Sequence, residues 1–209
     1  MDRVKYPRTR HLPNSPGSDE DDIHLSDLSA LAAGEVVLTE KMDGENTTIG
    51  PGYVHARSVD SAAHPSRTWV RALAGRLRHE IPEGMRVCGE NLYARHSIGY
   101  DRLRRTSWCS TSGRTTCAWT GTAPRNGPAC SACRACRCCT GGFPGPEGLW
   151  RHWSAARDPR TSEGFVVRTA GSFDRDEFGT HLAKWVRPRH VQTDQHWMTA
   201  EVVPNQLER

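Results

Sequence analysis

Glu35-Val36-Val37-Leu38-Thr39-Glu40-Lys41-Met42-Asp43-Gly44 is the stretch that decides the fold. Residues 35–39 make a β-type run, and Lys41-Met42-Asp43-Gly44 is a polar turn directly after it. A strand that ends in a lysine facing a turn is a frame for aiming an amine. Lysine is also rare here: of 28 basic residues, only Lys5, Lys41 and Lys184 are lysines. A chain that writes Arg almost everywhere bears the mark of a GC-rich genome. A lysine retained against that bias is either a chance survivor on the surface or a position where Arg cannot serve. Arg stays protonated, whereas Lys can lose its proton and attack.

Outward from this turn, residues 47–49 and 53–57 read as two strands joined across Gly50-Pro51-Gly52. Residues 66–80 place Trp69, Val70, Leu73 and Leu77 on one face after Pro65-Ser66, which predicts a capped helix. Residues 25–33 carry Leu25, Leu28 and Leu31 and predict a short amphipathic helix. Residues 86–88 and 165–168 are further strands, and residues 1–22, rich in Pro, Ser and charge, read as an extended arm or loop. Short strands with few helices, outside βα alternation, predict an α+β domain built on antiparallel sheets. Charged groups recur at the strand edges: Arg57-Ser58, Gly89-Glu90-Asn91, Glu163-Gly164-Phe165-Val166-Val167-Arg168 and Ala183-Lys184-Trp185-Val186-Arg187. Each singly is an ordinary exposed charge; together they are how a scaffold aims side chains into a shared cleft.

The length, 209 residues, suits one domain with a real core. No stretch approaches the roughly 20 apolar residues that span a membrane, and the polar N-terminus shows no secretory signal. The expectation is a soluble cytoplasmic protein with no membrane partner. The net charge of +4 is local: seven Arg and no acid lie in residues 102–146, leaving 21 basic residues against 24 acidic ones elsewhere. The basicity is therefore no sign of a nucleic-acid patch. The ten histidines are scattered, and His190 with His196 lacks a partner set for a metal.

Taken in order, Lys-x-Asp-Gly, Gly-Glu-Asn, Glu-Gly-Phe-Val-Val-Arg and Lys-Trp-Val-Arg resemble the covalent nucleotidyltransferases, specifically the ATP-dependent RNA ligase family. The resemblance spans nearly the whole chain apart from residues 104–142. It implies a single nucleotidyltransferase (ATP-grasp-like, adenylyltransferase) domain over residues 1–209, with antiparallel sheets and flanking helices. It also implies that Lys41 attacks the α-phosphate of ATP to form a lysyl-AMP. The adenylate would pass to an RNA 5′-phosphate, and a 3′-hydroxyl would then displace AMP. By the same resemblance Glu40, Asp43, Gly44, Arg57, Glu90 and Lys184 bind the nucleotide, with Arg57 and Glu90 at the ribose and Glu40 at the adenine. Lys184 would meet the α-phosphate, and Glu163 would hold Mg²⁺ or Mn²⁺. Arg187 is assigned to the same set, although the family places its second basic residue where Val186 stands. Lys41 must be neutral to attack, so its pKa is expected to be lowered by nearby cations or by desolvation. The alternatives are a catalytically impaired nucleotide- or RNA-binding relative and a DNA ligase-type or capping nucleotidyltransferase. The latter normally carry a further oligonucleotide-binding domain, for which little chain remains after Arg187.

Residues 104–142 lack every Leu, Ile, Val, Met, Phe, Tyr, Asp and Glu, yet hold seven of the eight cysteines. Cys130, Cys133, Cys136 and Cys139 have spacing that suits zinc or an iron–sulfur cluster, but no strands or apolar residues flank them to fix one. A shifted reading frame explains more. Cys and Trp codons begin with T; moved to the second position, that T encodes Leu, Ile, Met, Phe or Val. Residues 105–113 then back-translate compatibly to Tyr-Phe-Leu-Val-Phe-Asp-Val-Trp, which resembles a central strand of the family. The expectation is a pair of compensating frameshifts around residues 104–142, removing a core strand and an aromatic that stacks on adenine.

Overall fold

The computed structural model describes residues 3–103, 111–114, 119–120, 142–158, 161–189 and 201–207. The cysteine run, His190, His196 and most of residues 104–142 lie outside the described residues. The strands are β1 Arg10–His11, β2 Val36–Lys41, β3 Glu45–Gly50, β4 Tyr53–Ala56, β5 Met85–Asn91, β6 Thr111–Arg114, β7 Trp119–Thr120, β8 Gly164–Thr169 and β9 Leu182–Val186. The helices are α1 Ser29–Ala32, α2 Thr68–Leu77, α3 Gly145–Ala156 and α4 Phe178–His181. A four-stranded sheet has the order β1-β9-β8-β2, and a five-stranded sheet the order β4-β3-β5-β6-β7. The class is α+β, as expected.

One pairing departs from that expectation. All named strand pairs are antiparallel except β1 with β9, which is parallel, with His11 opposite Lys184. Parallel neighbours need a long crossover, and the rest of the domain lies between these two in sequence. The N-terminal arm is thus part of the first sheet. It also shortens the helix expected at 25–33, because His11 N–H donates to Ile23 O at 2.8 Å and Leu25 N–H to His11 O at 2.7 Å. Residues 23–25 are spent on that pairing, and the helix begins only where Asp27 Oδ1 accepts the Ser29 N–H at 2.9 Å. The helix expected at 66–80 is a 3-10 turn, Pro65–Arg67, running into α2. His64 supplies its cap in place of Ser66.

Side chains alternate along a strand, so register decides which face each serves. Thr39 pairs with Val166 and Val166 with Lys184, while Lys41 pairs with Gly164. These residues share one face of the first sheet. Val36, Leu38, Phe165, Val167, Ala183 and Trp185 occupy the other, where Leu149 and Trp153 of α3 cover them. The sequence reading did not foresee α3, although Pro146 near its start and the Leu149, Trp150, Trp153 spacing mark it. In the second sheet, Ile49 packs against Val70 and Ala74 of α2. Its opposite face carries Cys88, which clusters with Leu182 and Val166 of the first sheet and with Phe173 and Phe178. The two sheets therefore face one another across a cleft, each backed by a helix.

The aromatic knot behind the first sheet holds it flat against α3. The Phe165 and Trp185 rings stack at 5.6 Å, with Trp153 at 5.8 and 5.6 Å from them. Trp153 is fully buried. Trp153→Ala should lower unfolding free energy by about 3–5 kcal/mol in urea titration; a loss below about 1 kcal/mol would mean the helix is not what braces this sheet.

Candidate active site

Lys41 is the last residue of β2, and Glu45 the first of β3, so the chain passes from one sheet to the other within Met42-Asp43-Gly44. Gly44 is required by close approach: a Cβ there would lie 2.6 Å from Leu92 Cδ2 and 2.8 Å from Asn91 O. Asp43 ties the turn down. Its N–H donates to the Tyr100 hydroxyl at 2.8 Å, its Oδ2 accepts the Ile98 N–H at 2.8 Å, and Oδ1 lies 3.9 Å from His96 Nδ1. Asp43 and Gly44 thus shape the turn that carries the lysine.

Lys41 Nζ sits 2.5 Å from Glu163 Oε2, contributed by the residue just before β8. Burial alone would lower the Lys41 pKa, but Glu163, with Glu90 and Asp43, more than offsets it and holds the ammonium above its ordinary value. The expected lowering is not what the structure shows, because the nearest charge to Nζ is an anion. Glu90, near the end of β5, faces the same point. Burial pushes its carboxyl up to about 8, against the opposing pull of Lys41, so it holds its proton at neutral pH. Across β8, burial lowers the Lys184 pKa, opposed by Asp22 and reinforced by Lys41 and Arg57. Lys184 is therefore within electrostatic reach of both Lys41 and Arg57.

Two cavities meet at Lys41. One of about 160 Å³ lies between the sheets, with Tyr6, Thr39, Cys88, Val166 and Leu182 on its walls. The other, about 520 Å³, is more polar and opens beside Arg57, Ser58, Ser61, Arg67 and His96. Lys41, Asn46 and Glu90 line both. Lys184 and Glu40 border the first and Arg57 the second. The Glu40 carboxylate itself lies 3.3 Å from Arg157 Nε. Arg187 borders neither cavity; its Nε–H donates to Ser162 O at 3.1 Å, and its backbone N–H to Glu163 O at 3.0 Å.

Sequence reasoning missed the arm's contribution. Lys184 Nζ lies 3.9 Å from Asp22 Oδ1, and Asp22 Oδ2 lies 3.1 Å from His11 Nε2. The other ring nitrogen of His11 meets Ser15 Oγ at 2.8 Å. Asp22 stands in a run of surface-type acids, Asp19-Glu20-Asp21-Asp22, with nothing local to mark it. Arg67, paired with Glu45 through Nε–H at 2.8 Å from Oε2, was equally hidden as one arginine of a helix.

A model of the RNA ligase family matches residues 34–186, well over half of the chain. No curated protein and no solved structure matches it. The matched span runs from just before β2 to the end of β9, and so contains both cavities' strands.

His11 links pH to this arrangement. Burial, helped by Lys184 and opposed by Asp22, lowers its pKa from 6.5 to about 4. Between those values the unfolded chain binds a proton that the folded chain does not, so stability rises with pH across this window and falls on acidification. His11→Gln should flatten the urea midpoint against pH between about 4 and 6.5; an unchanged slope would remove His11 as its source.

Proposed function

The chain belongs to the RNA ligase family, and from that premise we propose that it joins RNA 5′-phosphate and 3′-hydroxyl ends at the expense of ATP. The observation that carries this reading is the position of Lys41, on the wall shared by an inner, partly apolar cavity and an outer, cationic one. The inner cavity suits an adenosine and the outer one phosphates. The Lys41 amine attacks the α-phosphorus, the α–β anhydride bond breaks, and pyrophosphate leaves. Lys184, across β8 on the same face, stabilises the charge gathering on the α-phosphate. Arg57 draws the leaving phosphates to the outer cavity. Attack requires the ammonium to lose its proton to solvent and the amine to part from Glu163, 2.5 Å away. The RNA 5′-phosphate then displaces Lys41, forming an adenylylated end, and the 3′-hydroxyl displaces AMP.

A divalent cation fits this donor set. Glu163 is a buried carboxylate at the cleft, and Mg²⁺ takes one or two carboxylates plus phosphates. Among the described residues no group of three or more His, Cys, Asp or Glu could hold a metal ion, so a cation would rest on Glu163 and on substrate phosphates. When bound, it would neutralise phosphate charge.

The same reading treats residues 104–142 as out of frame within one domain. In support, the family match continues on both sides of the segment. Thr111–Arg114 of the chain as given nonetheless pairs antiparallel with β5. Resequencing across codons 100–143 separates a reading error from a natural variant.

With ATP and Mg²⁺, RNA carrying a 5′-phosphate beside a 3′-hydroxyl should be sealed, and Lys41→Ala should slow sealing about a thousandfold or more. Sealing that survives in Lys41→Ala, or its absence in the unaltered protein, contradicts the reading.

A further inference from the structure

The nucleophile's turn is held from an unexpected quarter. Asp43 is fixed by Tyr100 and Ile98, which lie in the loop following β5. That loop is in turn bound by residues near the end of the chain. Arg95 N–H donates to Val203 O at 2.8 Å, Asn205 N–H to Tyr93 O at 2.9 Å, Gln206 N–H to Tyr100 O at 2.8 Å, and Leu103 N–H to Gln206 O at 3.1 Å. Asn205 stands at the centre. It is 8% exposed, its Nδ2 donates to Leu92 O at 2.9 Å and to Ala94 O at 3.3 Å, and its Oδ1 accepts the Tyr100 N–H at 2.9 Å. One amide side chain therefore closes the two ends of the 92–100 loop on each other.

The loop also packs where it matters. Leu92, Leu103 and Tyr100 form a cluster with Met42, the residue after the lysine. Leu92 is the side chain that leaves no room for a Cβ at Gly44. The path from Asn205 to Lys41 is thus continuous: amide, Tyr100 backbone, Tyr100 hydroxyl, Asp43 backbone, turn.

We propose that Asn205 is a positioning residue for Lys41, acting through Tyr100 and Asp43, with residues 203–207 as the clamp that holds the nucleophile's turn. Its consequence for rate rests on the ligase reading; its consequence for the turn does not. A nucleophile displaced by a fraction of an ångström loses rate without losing substrate binding, because binding does not require the reacting atoms to be aligned. A role in folding alone would lower the melting temperature and leave the rate at saturating ATP unchanged.

The test compares the full chain with Asn205→Ala, Tyr100→Phe and the double variant. Amide hydrogen exchange is read at Asp43 and Ile98, and transfer of labelled AMP from ATP is followed as a function of ATP concentration. Asn205→Ala should speed exchange at both amides by about tenfold. It should also slow AMP transfer at saturating ATP about tenfold or more while the ATP KM stays within about twofold. The double variant should be no slower than the slower single, since both break one path. Unchanged exchange at Asp43 and Ile98, or a double variant whose loss is the product of the singles, overturns the proposal. Should Asn205→Ala not fold, Tyr100→Phe, which removes only a hydroxyl, carries the same comparison at Asp43. An unaltered protein that takes up no AMP would refute the ligase reading, while the exchange data would still decide the clamp.

Discussion

The chain changes sheets in the three residues between Lys41 and Glu45, and everything else at the site follows from that crossing. A strand cannot leave one sheet and enter another so abruptly without close backbone approach. Gly44 permits it against Asn91 and Leu92, and Asp43 secures it against Ile98 and Tyr100. Because Lys41 ends β2 and Gly164 is its cross-strand partner, Glu163 arrives beside the amine as a matter of register. Because Asn46 pairs with Glu90, the second sheet delivers its carboxyl to the same point. The site is the edge where two ladders meet.

That meeting concentrates charge. Lys41, Lys184 and Arg57 stand opposite Glu163, Asp43 and Asp22 within a partly buried cleft, where charges interact far more strongly than in water. Burial and the neighbouring carboxylates divide the labour: Lys41 stays charged beside Glu163, while Glu90 retains its proton. The arm contributes to the same balance, since Asp22 is the carboxylate nearest to Lys184 among their described contacts.

Much of this was legible in the sequence, and the failures have physical causes. Lys41, Gly44, Arg57, Glu90, Glu163 and Lys184 were chosen through their likeness to the family's motifs, and the two sheets bring Lys41, Arg57, Glu90, Glu163 and Lys184 to one cleft. The strand ends themselves ran longer than the apolar runs, since Lys41 and Glu90 remain in their ladders while facing the cleft. Asp43 stood out through its motif but not as the turn's anchor, because its partners Ile98 and Tyr100 lie far along the chain. Asp22 and Asn205 were invisible for the same reason: each is an ordinary polar residue whose meaning comes only from β1 docking on β9 or the 203–207 segment docking on the loop after β5. Leu25 misled, since a residue at helical spacing was claimed by a strand-like pairing with His11.

The central claim is that Lys41 is the covalent nucleophile, and the most direct measurement is mass spectrometry of the protein after incubation with ATP, Mg²⁺ and pyrophosphatase. The account predicts one AMP per chain, stable to acid, on the peptide containing Lys41, and removed by excess pyrophosphate once pyrophosphatase is withdrawn. An adduct mapped to Lys184 or Lys5, or no adduct in a folded sample, would contradict it.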